Sequence, residues 1–415
     1  MALNEYKETV LDNGLKIVSE YVDSVYSISM GVCVLAGSND ETKQTNGLAH
    51  LLEHMAFKGT ENRTAFQIAK DIESLGGNIN AFTSKIYTCY LVRLMSEYLD
   101  QGVEVLADVV QNNLLREEDI QKEKTVITEE IKDSEDSPTS AIHDNFIKQL
   151  FPNHPYGRPI QGTIESVNSI SRTEILKFVD HYYNSDNIVI AAAGRVKHRE
   201  LVKKVKKYFA EAKGGKTKHT PHDFTPIQEK KKVYSRDIKQ AHLMVGTRIF
   251  PRKDERRFEL SLLNVLLSGG MSSRLFQNIR EKYGFVYSIY AFSHLYKKRG
   301  VFGIYAGTDI SNLDKTINLI REELEKIANG DISSEELARS KQQYKGMAML
   351  SLESMAGRMR RLAKMAIMDD HITTIDELLE RINKIKTPGI VDLAKYLVEE
   401  NQLITTIIEP GQGQN

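Results

Sequence analysis

The chain of 415 residues carries no surplus charge of either sign, because 56 Lys and Arg balance 56 Asp and Glu. A nucleic-acid binder would show a basic excess, so that class is set aside. No apolar run approaches the roughly 20 residues that a membrane helix needs. The opening Met1-Ala-Leu-Asn-Glu-Tyr-Lys-Glu8 lacks the apolar segment of a secretory signal. Cysteine is nearly absent. Cys33 and Cys89 both fall in strand-like runs and are expected to be free, buried thiols of a reducing compartment.

The length is too great for one comfortable hydrophobic core, so two domains are expected. Phe66-Gln67 and Ala81-Phe82-Thr83 recur as Phe276-Gln277 and Ala291-Phe292-Ser293, both at an offset of 210 positions. Val25 to Gly31 resembles Ile238 to Gly246 in strand character. A duplicated domain follows from this pattern. Gly214 to Pro226 is rich in Gly, Pro and Lys and reads as a solvated linker. The expected division is therefore 1–213, a linker at 214–226, and 227–415. Strand-like runs at Leu15–Val18, Val25–Leu35 and Gly77–Val92 alternate with helical patterns at Thr64–Ser74 and Ser96–Val110. The fold class is α+β, used twice, with mostly antiparallel sheets packed by helices. Amphipathic stretches around Glu335–Met347 and Met355–Met368 are expected to place their methionines in a core or groove.

His50-Leu51-Leu52-Glu53-His54 carries the strongest chemistry. Histidines four positions apart share one face of a helix. Both imidazoles can then reach one tetrahedral zinc, and Glu53 can reach a water beside it. Two ligands and a general base on one turn suit a metallopeptidase, here in the inverted order of the motif. Leu48, Leu51, Leu52 and Met55 make the segment apolar, so the helix should be buried and its polar groups need partners. A third ligand should come from elsewhere in the fold. The helical pattern Ile120–Asp133 offers Glu123, Glu129 and Glu130. Glu123 and Glu130 share a face and Glu129 points about 100° away. Periodicity does not choose between the first two.

His50 to Thr60 (His-Leu-Leu-Glu-His-Met-Ala-Phe-Lys-Gly-Thr) and Glu123 to Ile131, with Gly76–Thr83 and His154–Thr163, resemble the pitrilysin/insulinase-type zinc peptidases. The short, processing-peptidase-like (inverzincin) branch is the nearest in form, and the resemblance spans essentially the whole chain. It implies that the third ligand lies 76 positions beyond His54, at Glu130, and that Glu123 orients a ligand histidine. One zinc ion per chain is implied. The resemblance makes Gly77–Val92 an edge strand where peptide substrates pair at Asn80, Ala81 and Phe82. It makes Arg280 and Tyr287 the groups that stabilise an oxyanion, although the residues alone suggest a surface arginine on a helix ending at Gly284. At the 210-position offset His50, Glu53 and His54 correspond to Leu260, Leu263 and Asn264, so the second half should bind no metal in this way.

The implied activity is zinc-dependent endopeptidase cleavage of peptides or unfolded segments in a closed chamber. One chain carries both residue sets, so a homodimer with a composite site is expected. A non-catalytic subunit of a heteromeric peptidase or respiratory-type complex is the alternative. A leaderless, compact chain points to a bacterial cytoplasm. His219 and His222 are expected to be solvated in the linker, His154 to be structural, and Asp133, Glu135 and Asp136 to form a solvated acidic loop.

Overall fold

A computed structural model describes residues 6–210, 212–398 and 403–411. The chain forms two compact units. The first holds six strands: β1 (Tyr6–Val10), β2 (Lys16–Tyr21), β3 (Ser27–Val34), β4 (Asn78–Thr83), β5 (Thr88–Met95) and β6 (Ile188–Gly194). They lie in the order β1-β2-β6-β3-β5-β4, antiparallel throughout except for β2 with β6. The second unit holds β7 (Lys231–Arg236), β8 (Ala241–Ile249), β9 (Val286–Leu295), β10 (Gly300–Thr308) and β11 (Ile404–Pro410), in the order β7-β11-β8-β10-β9. Only β7 with β11 is parallel.

The two sheets repeat one topology. In each, the last strand inserts in parallel beside an early one, β6 beside β2 and β11 beside β7, with β1 an additional edge strand of the first sheet, and the Ala-Phe dipeptides of the internal repeat fall on the edge strands β4 and β9. β6, Ile-Val-Ile-Ala-Ala-Ala-Gly, is buried along its whole length, as an uninterrupted small and apolar run should be at the middle of a covered sheet. The expected strand Gly77–Val92 is in fact two. A turn at Ser84–Tyr87, where Ser84 Oγ accepts the amides of Ile86 and Tyr87, separates β4 from β5. Cys33 and Cys89 face each other across β3 and β5, both buried and free.

The units are not contiguous in sequence. Ser134–Asn153 belongs to the second unit and Ser351–Thr374 to the first. The expected division at the linker therefore misplaces two helices. The helix Met355–Met368 covers one face of the first sheet, packing Met359, Leu362, Ala363 and Met365 with Val18, Cys33, Leu91, Val189 and Ala191. Arg358 pairs with the buried Glu20 of β2 there. The opposite face of that sheet carries the larger core, with the helices Leu48–Met55, Leu99–Gln111 and Glu117–Asp136. In the second unit the helix Pro138–Leu150 buries Phe146, which reaches the backbone of β8 and β10.

Asp133, Glu135 and Asp136 are exposed but end the helix Glu117–Asp136 rather than forming a loop. His219 is exposed yet paired, with Nδ1 2.7 Å from Asp40 Oδ1 and Nε2 3.2 Å from Asn187 Oδ1. His154 is buried and accepts the Tyr156 amide. Among the described residues no helix is long and apolar enough to cross a membrane.

Candidate metal centre

The helix Leu48–Met55 has eight residues and buries Leu48, Ala49, Leu51, Leu52 and Met55. That apolar face turns His50, Glu53 and His54 together along one side. The long helix Glu117–Asp136 is anchored by Ile120, Ile127 and Ile131, and Glu123 and Glu130 lie together about 60–80° around the helix from that stripe, with Glu123 itself buried. Glu129 is exposed and pairs with Lys132, as its angular offset required.

Glu130 Oε2 lies 3.9 Å from His50 Nε2 and 3.7 Å from His54 Nε2. One ligand atom from each of the three residues falls within 4.8 Å of the others. Tetrahedral zinc with bonds of about 2.0–2.1 Å separates its donors by about 3.4 Å, so the ligand atoms would draw together by up to about 1.4 Å around the ion. Glu123 takes the other role. Its Oε2 lies 3.1 Å from His54 Nδ1, while Oε1 pairs with Lys58 Nζ at 2.6 Å. An Nδ1–H donated to Glu123 leaves the Nε2 lone pair facing Glu130. Burial, with His54 adding to it, pushes the His50 pKa down to about 4, which keeps that imidazole neutral and able to donate its lone pair. The donor set fits zinc: two imidazoles, one carboxylate, and a second carboxylate behind one imidazole. Among the described residues no other such group of His, Cys, Asp or Glu converges.

Glu53 sits beside this cluster. Thr83 Oγ1, at the end of the edge strand β4, donates to Glu53 Oε2 at 2.6 Å. Burial raises the Glu53 pKa, opposed by the Thr83 hydrogen bond and His54 and reinforced by Glu130. A carboxylate raised toward neutrality is a competent proton acceptor and donor. Sequence reasoning missed Thr83 and Lys58 as partners. Lys58 lies beyond the end of the motif helix and pairs with Glu123 of another helix, so neither it nor Thr83 carries a local signal.

On β4 the side chains alternate. Ile79 and Ala81 pack toward the core that holds the metal-motif helix, and Phe82 packs on the opposite face, 5.6 Å beneath the Arg360 guanidinium. Asn80 is exposed, with its Oδ1 accepting the Ala81 amide at 2.8 Å. Arg280 and Tyr287 lie in the second unit, both exposed. Arg280 stacks 4.9 Å over Phe276, and Tyr287 is near the start of β9. In place of the metal motif that unit has buried Leu260 and Leu263, and Asn264 Nδ2 donates to Ser293 Oγ, the counterpart of Thr83.

Fold and donors together define a duplicated α+β protein with one inverted His-x-x-Glu-His centre in its first repeat. The family model described as insulinase (peptidase family M16) matches residues 16–164, and that described as the peptidase M16 inactive domain matches residues 169–344. The chain is 37% identical over 407 residues to the uncharacterized zinc protease YmxG of Bacillus subtilis, covering 98% of each chain. An uncharacterized zinc protease of Streptomyces coelicolor is 34% identical over 97% of this chain and 89% of its own. A protease from Helicobacter pylori superposes with a TM-score of 0.91 at 25% identity, over 98% of this chain and 100% of that one. The chain belongs to the insulinase family, peptidase family M16.

Proposed function

We propose that the protein is a zinc-dependent endopeptidase acting on peptides or unfolded segments. The observation that carries this is the convergence of His50, His54 and Glu130 with Glu53 on the same helical turn. Zinc held by those three residues supplies Lewis-acid polarisation of a peptide carbonyl. Thr83 fixes one oxygen of Glu53 and leaves Oε1 to accept a proton from the attacking water. Glu53 then hands that proton to the leaving amine. Its raised pKa favours both transfers. Glu123 and Lys58 hold His54 in one tautomer throughout. The substrate adds as an extended strand along Asn80, Ala81 and Phe82 of β4, recognised through backbone groups, which makes sequence tolerance broad. Arg280 and Tyr287 of a second copy stabilise the oxyanion in a closed homodimeric chamber, and a bacterial cytoplasm is the setting.

A quenched fluorescent peptide library, with and without chelator, tests the activity. Turnover should vanish with chelator and return with zinc. Glu53→Gln should keep its zinc and lose roughly 10²–10⁴-fold in turnover. A zinc-loaded protein that cleaves no member, or a Glu53→Gln variant as active as the parent, overturns the reading.

A further inference from the structure

The segment His154–Thr163 has no part in the chemistry above, yet its second half lies against the start of the metal-motif helix. Glu41 joins the two. Its side chain is 3% exposed. Oε1 accepts the Ala49 amide at 2.8 Å, and Oε2 accepts the Gly47 amide and Asn46 Nδ2, each at 2.9 Å. Ala49 immediately precedes His50. The same Asn46 Nδ2 donates to Pro159 O at 3.0 Å, and Arg158 Nη2 donates to the Glu41 carbonyl at 2.9 Å. Ser166 Oγ donates to Asn46 O at 2.7 Å.

The backbones interlock as closely as the side chains. Gly47, at φ +97°, would place a Cβ 2.5 Å from Gln161 O. Gly162, at φ +84°, would place one 2.4 Å from Asn46 O. An eight-residue helix does not hold its own position in water, and its first amides have no partner within the helix. Gly47 has no side chain to cap them. A carboxylate at a helix N-terminus supplies the acceptor with favourable charge.

We infer that Glu41 is a positioning residue for the metal centre: gripped by Asn46 and backed by the Arg158–Gly162 loop, it fixes where the helix begins and so where His50 presents Nε2. This rests on the zinc reading of His50, His54 and Glu130.

Cobalt in place of zinc gives a readout that needs no peptide turnover. Wild type and Glu41→Gln are titrated with Co2+, and zinc affinity is measured by chelator competition. The glutamine amide turns a donor toward the donors of Gly47 and Asn46. Affinity should fall roughly 10–100-fold, as it does when groups behind a ligand are lost, and the visible cobalt bands should change. At saturating zinc, kcat should fall more than KM rises. A folded Glu41→Gln protein with wild-type affinity and bands overturns the proposal, even if its Tm has dropped. Should that variant not fold, Asn46→Ala removes one grip, and an unchanged affinity and spectrum there overturns it equally. A wild type that takes up no cobalt sinks both this proposal and the zinc reading. Uptake by wild type with no effect of Glu41→Gln sinks this one alone.

Discussion

Among the described residues, burial pushes the imidazoles of His50 and His143 furthest toward the neutral form, one in each unit. His50 and His143 each have a pKa pushed down to about 4, by loss of solvent and then by a neighbouring His54 or His294. His143 Nε2 shares a hydrogen bond of 2.8 Å with Tyr290 OH, on a sheet face that also carries Tyr305 and His242. In the unfolded chain such groups return to about 6.5. The unfolded state therefore takes up protons between about pH 6.5 and 4 that the folded state does not. Stability is present above the unfolded value and is lost as pH falls through that window. His143→Gln keeps a hydrogen-bonding group and removes the titration. The urea midpoint of this variant should fall less steeply between pH 6.5 and 4 than that of wild type, and an identical slope would remove His143 from the account.

At the scale of elements, the central strands must let a helix come close. Gly31 of β3 lies beneath the helix Met355–Met368, where a Cβ would sit 2.9 Å from Cys89 Sγ and 3.0 Å from Met359 Sδ. Its counterpart Gly246 of β8 lies beneath the helix Pro138–Leu150, where a Cβ would sit 2.8 Å from Phe146 Cζ and closer still, at 2.1 Å, to Phe302 O of the neighbouring strand β10. The repeat thus preserves a packing requirement as well as a topology. Gly31→Ala should cost about 1–3 kcal/mol in urea unfolding, because overfilled cores shift side chains off their preferred rotamers. A change below about 0.5 kcal/mol, the usual range of surface substitutions, would mean that Met359 simply moves aside.

For the whole molecule, the metal donors and the Arg280/Tyr287 pair belong to different units. The proposed homodimer makes one copy complete the other. Mixing Glu53→Gln protein with Arg280→Ala protein decides this. If sites are completed in trans, random mixed dimers retain one intact site, and about a quarter of wild-type activity should return. Two inactive parents that stay inactive after demonstrated subunit exchange would overturn completion in trans, and an Arg280→Ala parent as active as wild type would leave Arg280 without a role.

Some of this was decided within a few residues of chain. The His50–His54 turn brings two imidazoles and a carboxylate together because helical spacing alone does so. The recurrence of Ala-Phe at one offset was enough to indicate the duplication, and Leu260, Leu263 and Asn264 stand in the second repeat where the first has His50, Glu53 and His54. Along the chain Glu123 and Glu130 stayed equivalent, since periodicity names a face and not a distance, and only resemblance separated them. Packing is what sends Glu130 to both Nε2 atoms and Glu123 to His54 Nδ1. Thr83 and Glu41 were unreadable as partners because their contacts form only after β4 and the 158–166 segment dock beside the motif helix. The exchange of helices was hidden for a related reason. An amphipathic pattern says that a helix has an apolar face, but burial is non-directional, and which sheet receives that face is settled only by the tertiary structure.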